Sequence, residues 1–184
     1  MKRLSVFFVL FAVMIIGVSA QTAQQQAAAE ISFSFTRQSG SASNQFAVWI
    51  EDAQGSYIKT LYATRYTANG GYKRRETSIP VWVRQSGLSG MTKAQVDALT
   101  GATPRAGILT YTWDGTDSRG AVVPAGDYVI ILEGTVRWEN QVMYRASIRI
   151  GQGAAAAQVN VEYIGTPPGD ERSMIRDVTA RVLR

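Results

Sequence analysis

Few side chains in this chain can do chemistry, because its 184 residues include no histidine and no cysteine. Without histidine it lacks the usual general base and the commonest transition-metal ligand, and a Ser-His-Asp triad is impossible. Without cysteine it has no thiol nucleophile, no ligand for an iron–sulfur cluster and no disulfide staple. Carboxylates, cations and hydroxyls remain. Glu51-Asp52, Glu133 and Glu139 supply carboxylates, but nothing in their spacing implies the pair a glycosidase needs. Asp114, Asp117 and Asp127 lack the terminal Glu of a calcium-binding loop, and Asp114-Gly115 is ordinary turn chemistry. Lys73-Arg74-Arg75 is the basic cluster of the chain. Following Asn69-Gly70-Gly71, it reads as a solvated loop, with contact to a phosphate or an anionic partner as the alternative. Thr103 presents a hydroxyl beside two small residues, Gly101 and Ala102, with Arg105 two positions on.

The segment Asp97-Ala98-Leu99-Thr100-Gly101-Ala102-Thr103 has the form Asp-x-x-Thr-Gly-Ala-Thr. It resembles the acceptor motif of exported proteins that carry flavin mononucleotide (FMN) on a threonine hydroxyl. The resemblance implies that a flavin transferase cuts FAD and leaves FMN joined to Thr103 by a phosphoester bond. It also implies a redox carrier whose partners include membrane redox proteins. On this reading Thr103 supplies the hydroxyl that attacks the pyrophosphate. Gly101 and Ala102 let the backbone enter a narrow transferase site. Asp97 and Thr100 serve recognition, and Arg105 pairs with the negative charge of the phosphodiester. Trp82 or Tyr111 would wall the isoalloxazine ring. Lys93 reads as a surface cation, and Trp49 and Trp113 as core residues. The competing reading is structural: Thr100 and Gly101 stop a helix, and Pro104 prevents its resumption.

Met1–Ala20 reads as a secretory signal peptide, with Lys2 and Arg3 before an apolar run and Val18-Ser19-Ala20 as the cleavage pattern. The run is short for a spanning helix, and no later segment is long and apolar enough to span, so no transmembrane span is expected after cleavage, an uncleaved anchor being the alternative. The net charge of +5 is a mild excess, reduced further once Lys2 and Arg3 are removed. It is not a nucleic-acid footprint.

These candidate residues must be positioned by strands. Residues 21–29, rich in Gln and Ala, read as a flexible leader, and 30–184 as one domain. Ile31, Phe33 and Phe35 alternate with polar residues as in a half-buried strand. Residues 45–51 make a second strand with apolar residues on both faces. Asp52-Ala53-Gln54-Gly55 turns the chain into a third at 57–64, and the three strands are expected to form a meander. Ser39-Gly40-Ser41 is a turn cluster. Residues 79–85 are ambiguous, since Pro80 can start a helix, and 86–91 read as a loop. Thr92 and Gln95 form a capping box for a short helix over 93–99 that ends near Gly101. The heptapeptide therefore straddles a helix end and a loop, where a modifying enzyme can reach it. Strands are expected again at 107–113, at 128–138 paired with 141–150 as a hairpin, at 158–164, and at 175–183 as an edge strand. Residues 165–171 read as a Pro/Gly loop, and Ala154–Ala157 as a short compositional bias.

Short strands separated by turns indicate a mainly β fold, an antiparallel β-sandwich with one short helix. The stretch from Trp113-Asp114-Gly115 through Val123-Pro124-Ala125-Gly126-Asp127-Tyr128 resembles a turn signature of immunoglobulin-like modules. That resemblance implies an immunoglobulin-like sandwich. Residues 46–52, 59–64, Pro80-Val81-Trp82, the heptapeptide and the Trp113 signature together resemble the predicted periplasmic proteins of domain of unknown function 2271. This implies export and a β fold without an activity. Two functions stand open: a periplasmic FMN carrier that is itself no enzyme, and a non-enzymatic immunoglobulin-like binding or envelope-assembly module. A hydrolase or lyase working through carboxylates has nothing specific in its favour.

Overall fold

The computed structural model describes residues 28–39 and 44–184. The signal peptide, most of the leader and the turn at Gly40-Ser41 lie outside the described residues. The strands are β1 (Ala29–Phe35), β2 (Gln45–Asp52), β3 (Tyr57–Thr64), β4 (Thr100–Gly101), β5 (Gly107–Trp113), β6 (Gly126–Arg137), β7 (Asn140–Ile150), β8 (Ala155–Ala156), β9 (Gln158–Ile164) and β10 (Ile175–Val182). The helices are α1 (Arg65–Ala68), α2 (Pro80–Gln85), α3 (Lys93–Leu99) and α4 (Gly169–Arg172).

Two sheets face each other, one ordered β5-β1-β10-β8 and the other β4-β3-β2-β6-β7-β9. Their inner faces supply the sandwich core, with Ile31, Phe33 and Phe35 of β1 meeting Phe46, Val48 and Ile50 of β2. β2 is buried on both faces because its other row, Ala47 and Trp49, lies under the helical segment. There Trp49 packs with Ile79, Trp82, Leu88 and Val96 in a second core. The fold is thus a β-sandwich whose six-stranded sheet carries helices on its outer face.

The sequence expectations need several corrections. β1 does not continue into a meander with β2; it pairs with β10 and β5 in the opposite sheet. A period-two apolar pattern specifies which face is buried and leaves the pairing partner open. Ala28 and Ala29, read as the end of a mobile leader, are buried. Ala28 donates its N–H to the Trp113 carbonyl at 2.7 Å, and Ala29 begins β1. β10 is not a bare edge, since β8, inside the alanine stretch, pairs with its last residues. The Pro/Gly segment after β9 contains the single turn of α4, and a short 3₁₀ turn, Leu88–Gly90, lies within the expected 86–91 loop.

Other readings match the structure closely. The β2–β3 and β6–β7 pairs are antiparallel hairpins, and α3 carries the capping box, with the Thr92 hydroxyl accepting from the Gln95 amide and the Gln95 side chain from the Thr92 amide. Pro80 does start a helix. That helix is capped from the sheet: the Glu133 carboxylate of β6 accepts the N–H groups of Val81 at 3.0 Å and Trp82 at 2.7 Å.

Candidate functional site

The heptapeptide is held by the end of β3. After α3 the chain lies down as β4, parallel to β3, with Thr100 opposite Ala63 and Gly101 opposite Thr64. Gly101 has no room for a side chain, because an added Cβ would stand 2.7 Å from Cε2 of Tyr62. The Tyr62 hydroxyl donates to the Ala102 carbonyl at 2.7 Å. Its ring stacks at a tilt on Tyr111 and Phe46, with centroids 4.9 and 5.2 Å apart. Burial pushes the Tyr62 phenol up to about 12, against the opposing pull of the Arg65 charge, so it stays a donor through neutral pH. Gly101 of the motif therefore has a packing role in this fold.

Beyond Ala102 the chain forms one wall of an open cleft of about 690 Å³. Ala102 and Thr103 face Arg65 and Tyr66 of α1 and, from the following turns, Lys73 and Arg74. The turn is compact because Gly70 takes φ +93° and Gly71 lies against Tyr66, where a Cβ would approach the Tyr66 carbonyl oxygen to 2.3 Å. Only glycine fits there. The loop is anchored from below by Thr67, whose hydroxyl meets Ser78 at 2.6 Å and donates to Gln45 at 3.1 Å.

The expected site residues divide accordingly. Gly101, Ala102 and Thr103 form a continuous strip, and Thr103 is half-buried at the cleft rim. The Thr100 hydroxyl is enclosed without a hydrogen-bond partner. Asp97 is exposed on α3 and pairs with Lys93, one turn earlier on the same helix. Arg105 is exposed and is not part of the cleft wall. The cations around Thr103 are Arg65, Lys73 and Arg74, which sequence spacing did not connect with it.

Trp82 cannot wall a ring bound at Thr103. It is fully buried in the second core, and its indole N–H donates to the Thr60 hydroxyl at 2.9 Å. Tyr111 packs into the aromatic group under Tyr62. The exposed aromatic of the cleft is Tyr66, with 49% of its surface accessible. No sequence pattern marked it, because Tyr66 reads simply as a residue following a strand. Trp49 and Trp113 are core residues, as expected.

Of the other candidate carboxylates, Glu139 is exposed at the β6–β7 turn, and the rest are engaged in the fold. Glu51 accepts from the Trp49 indole at 2.8 Å, and Glu133 caps α2. Burial pushes the Glu133 carboxyl up to about 7, against the two N–H groups and the charges of Arg84 and Arg145. Asp127 pairs with Arg149 at 3.1 Å. Burial pushes Asp114 up, but hydrogen bonds from Thr116 and Lys59 outweigh it and hold the carboxyl below its usual range. Backbone N–H groups of Ala121 and Arg119 likewise hold Asp117 low.

The architecture is that of a β-sandwich with a helical cover and an accessible threonine-bearing loop. The chain belongs to the family described as predicted periplasmic protein (DUF2271), whose model matches residues 26–165. Among the described residues no helix is long and apolar enough to cross a membrane. No curated protein and no solved structure matches the chain.

Proposed function

We propose that this periplasmic protein is a redox carrier bearing FMN as a phosphoester on Thr103. The observation that carries the reading is the position of Thr103, the last residue of the acceptor-like heptapeptide, in the lining of an open cleft that Arg65, Lys73 and Arg74 also line. Attachment is a phosphoryl transfer from FAD by a flavin transferase. The Thr103 oxygen forms a bond to the FMN phosphorus, the pyrophosphate P–O bond breaks, AMP leaves, and the hydroxyl proton passes to a base of the transferase. When bound, the flavin supplies the electron-transfer chemistry that a chain without histidine or cysteine lacks. The chain's own part is to present the hydroxyl on a strip clamped by Tyr62, and to offer positive charge to the ester. Membrane redox proteins are the proposed electron partners.

Co-expression with a flavin transferase, followed by intact mass measurement, tests the reading. A gain of one FMN less one water, mapped to the Thr103 peptide, is the expected result. An unmodified protein beside a demonstrably active cognate transferase overturns it and favours a non-enzymatic binding module.

A further inference from the structure

We propose that the cleft beside Thr103 is a phosphate-ester site in which Arg65, Lys73 and Arg74 hold the FMN phosphate and Tyr66 stacks on the flavin ring. This rests on the carrier reading and adds to it that the flavin is docked rather than free on a tether.

The distribution of charge supports this. Lys59, Lys93, Arg119, Arg137, Arg145, Arg149 and Arg181 each pair with a carboxylate, while other surface cations among the described residues, such as Arg37, Arg105 and Arg176, do not. Arg65, Lys73 and Arg74 likewise lack a carboxylate partner among the described residues, and what distinguishes them is that all three line the same cleft, Lys73 also lying 5.8 Å from the centroid of the Tyr72 ring. Arg75, next in the run, turns away and lies over the Trp138 ring, 4.9 Å from its centroid. Unneutralised cations gathered in a concave surface favour an anion, and guanidinium groups match phosphate oxygens in bidentate fashion.

Tyr66 adds a ring-binding surface. One part of its ring rests on Gly71, where an added Cβ would stand 2.8 Å from Cδ1 and Cε1. The residue nevertheless keeps 49% of its surface open, on the cleft that Thr103 borders. A ring held against the backbone of Gly71 and half-open to the solvent is suited to stacking. The ligand class that satisfies both features is an aromatic phosphate ester.

The test uses unmodified Thr103→Ala protein titrated with free FMN, and separately with riboflavin, which lacks the phosphate. Binding is followed by flavin fluorescence quenching. A tethered group sits at an effective concentration in the mM range, so saturation by about 1 mM free FMN suffices to fill the cleft once attached. Saturable FMN binding at least about tenfold tighter than riboflavin is expected. Changing Arg65, Lys73 and Arg74 together to Gln should remove that preference, and Tyr66→Leu should weaken both ligands. No binding up to that concentration, equal binding of the two flavins, or a triple variant that keeps the preference would overturn the inference. Failure of the carrier reading is seen separately, in the mass of co-expressed wild-type protein. An unmodified wild type with selective FMN binding leaves the phosphate site standing without the ester.

Discussion

The hydroxyl of Tyr62 reaches the carbonyl of Ala102 at 2.7 Å, and the same ring occupies the space where a side chain at Gly101 would stand. One residue of β3 thus sets the course of the chain into Thr103. Gly101→Ala would drive a methyl group to 2.7 Å from Cε2 of a ring already packed on Phe46 and Tyr111. Overpacking of this kind costs about 1–3 kcal/mol. Tyr62→Phe keeps the ring and loses the hydrogen bond, at about 1 kcal/mol. Urea unfolding should rank the variants in that order. If Gly101→Ala unfolds like the wild type, the clamp is not a structural constraint.

Thr135 offers a second test, in the layer beneath the helices. Its hydroxyl accepts the Ile79 N–H at 2.8 Å and donates to the Thr77 carbonyl at 3.0 Å, and the residue is fully buried. Ile79 itself sits at φ +42°, a left-handed conformation that a β-branched residue rarely adopts. The Thr135 bond helps to hold it there, at the entrance to α2. Thr135→Val keeps the shape and strands a buried donor, so a loss of about 1–3 kcal/mol is expected. An unfolding midpoint unchanged from wild type would rule out that role.

Glu133 should make stability fall as pH rises. Burial raises its folded-state carboxyl from the ordinary 4.5 to about 7, so the folded chain binds this proton more tightly than the unfolded chain does. The favourable contribution is complete below about pH 4.5, declines as pH rises through about 7, and is then gone, a change on the order of 3 kcal/mol. The charged groups facing it, Arg84 and Arg145, oppose the shift without cancelling it. Asp114 acts in the other direction in a separate window: its carboxyl is held low, so its contribution is present above pH 3.8 and lost in stronger acid. Urea midpoints across pH 4.5–7.5 check the Glu133 slope. Glu133→Gln should flatten it. A slope that survives the substitution assigns the titration to another group.

Local signals survived into the structure better than pairing did. The capping box at Thr92 defines α3 because both its partners lie within one helical turn. The β6–β7 hairpin was legible because a short turn leaves little choice of neighbour. The neighbours of β1 are not legible, since Ile31, Phe33 and Phe35 satisfy the same pattern in either sheet. The candidate site divides in the same way. Its hydroxyl strip, Gly101 to Thr103, stood out as a motif. The cations that line the same cleft read in the sequence as a solvated loop, because the parallel pairing of β4 with β3 is what brings residues 65–74 near residue 103. A two-residue strand leaves no periodicity to find.

Substitutions within the heptapeptide separate recognition from folding. Thr103→Ala should abolish flavin attachment, because no hydroxyl remains to accept the phosphoryl group, and Thr103→Ser should retain part of it. Both should leave the free energy of unfolding within about 0.5 kcal/mol of wild type, as surface changes usually do. Thr100 gives the sharper contrast. Its hydroxyl is enclosed in the fold without a partner, so Thr100→Val removes an unsatisfied polar atom and nearly preserves shape. The fold should be unchanged or slightly more stable. If the transferase reads Thr100, the variant's flavin yield on co-expression should nevertheless fall, with the residual FMN still on Thr103. Full yield would assign Thr100 to the end of α3 and not to recognition. Loss of yield together with a lower unfolding midpoint would point instead to a distorted β4, and Asp97→Asn then serves as the cleaner probe: Asp97 is exposed and, among the described residues, its ion pair is with Lys93 on its own helix, so a drop in yield at an unchanged midpoint reports recognition.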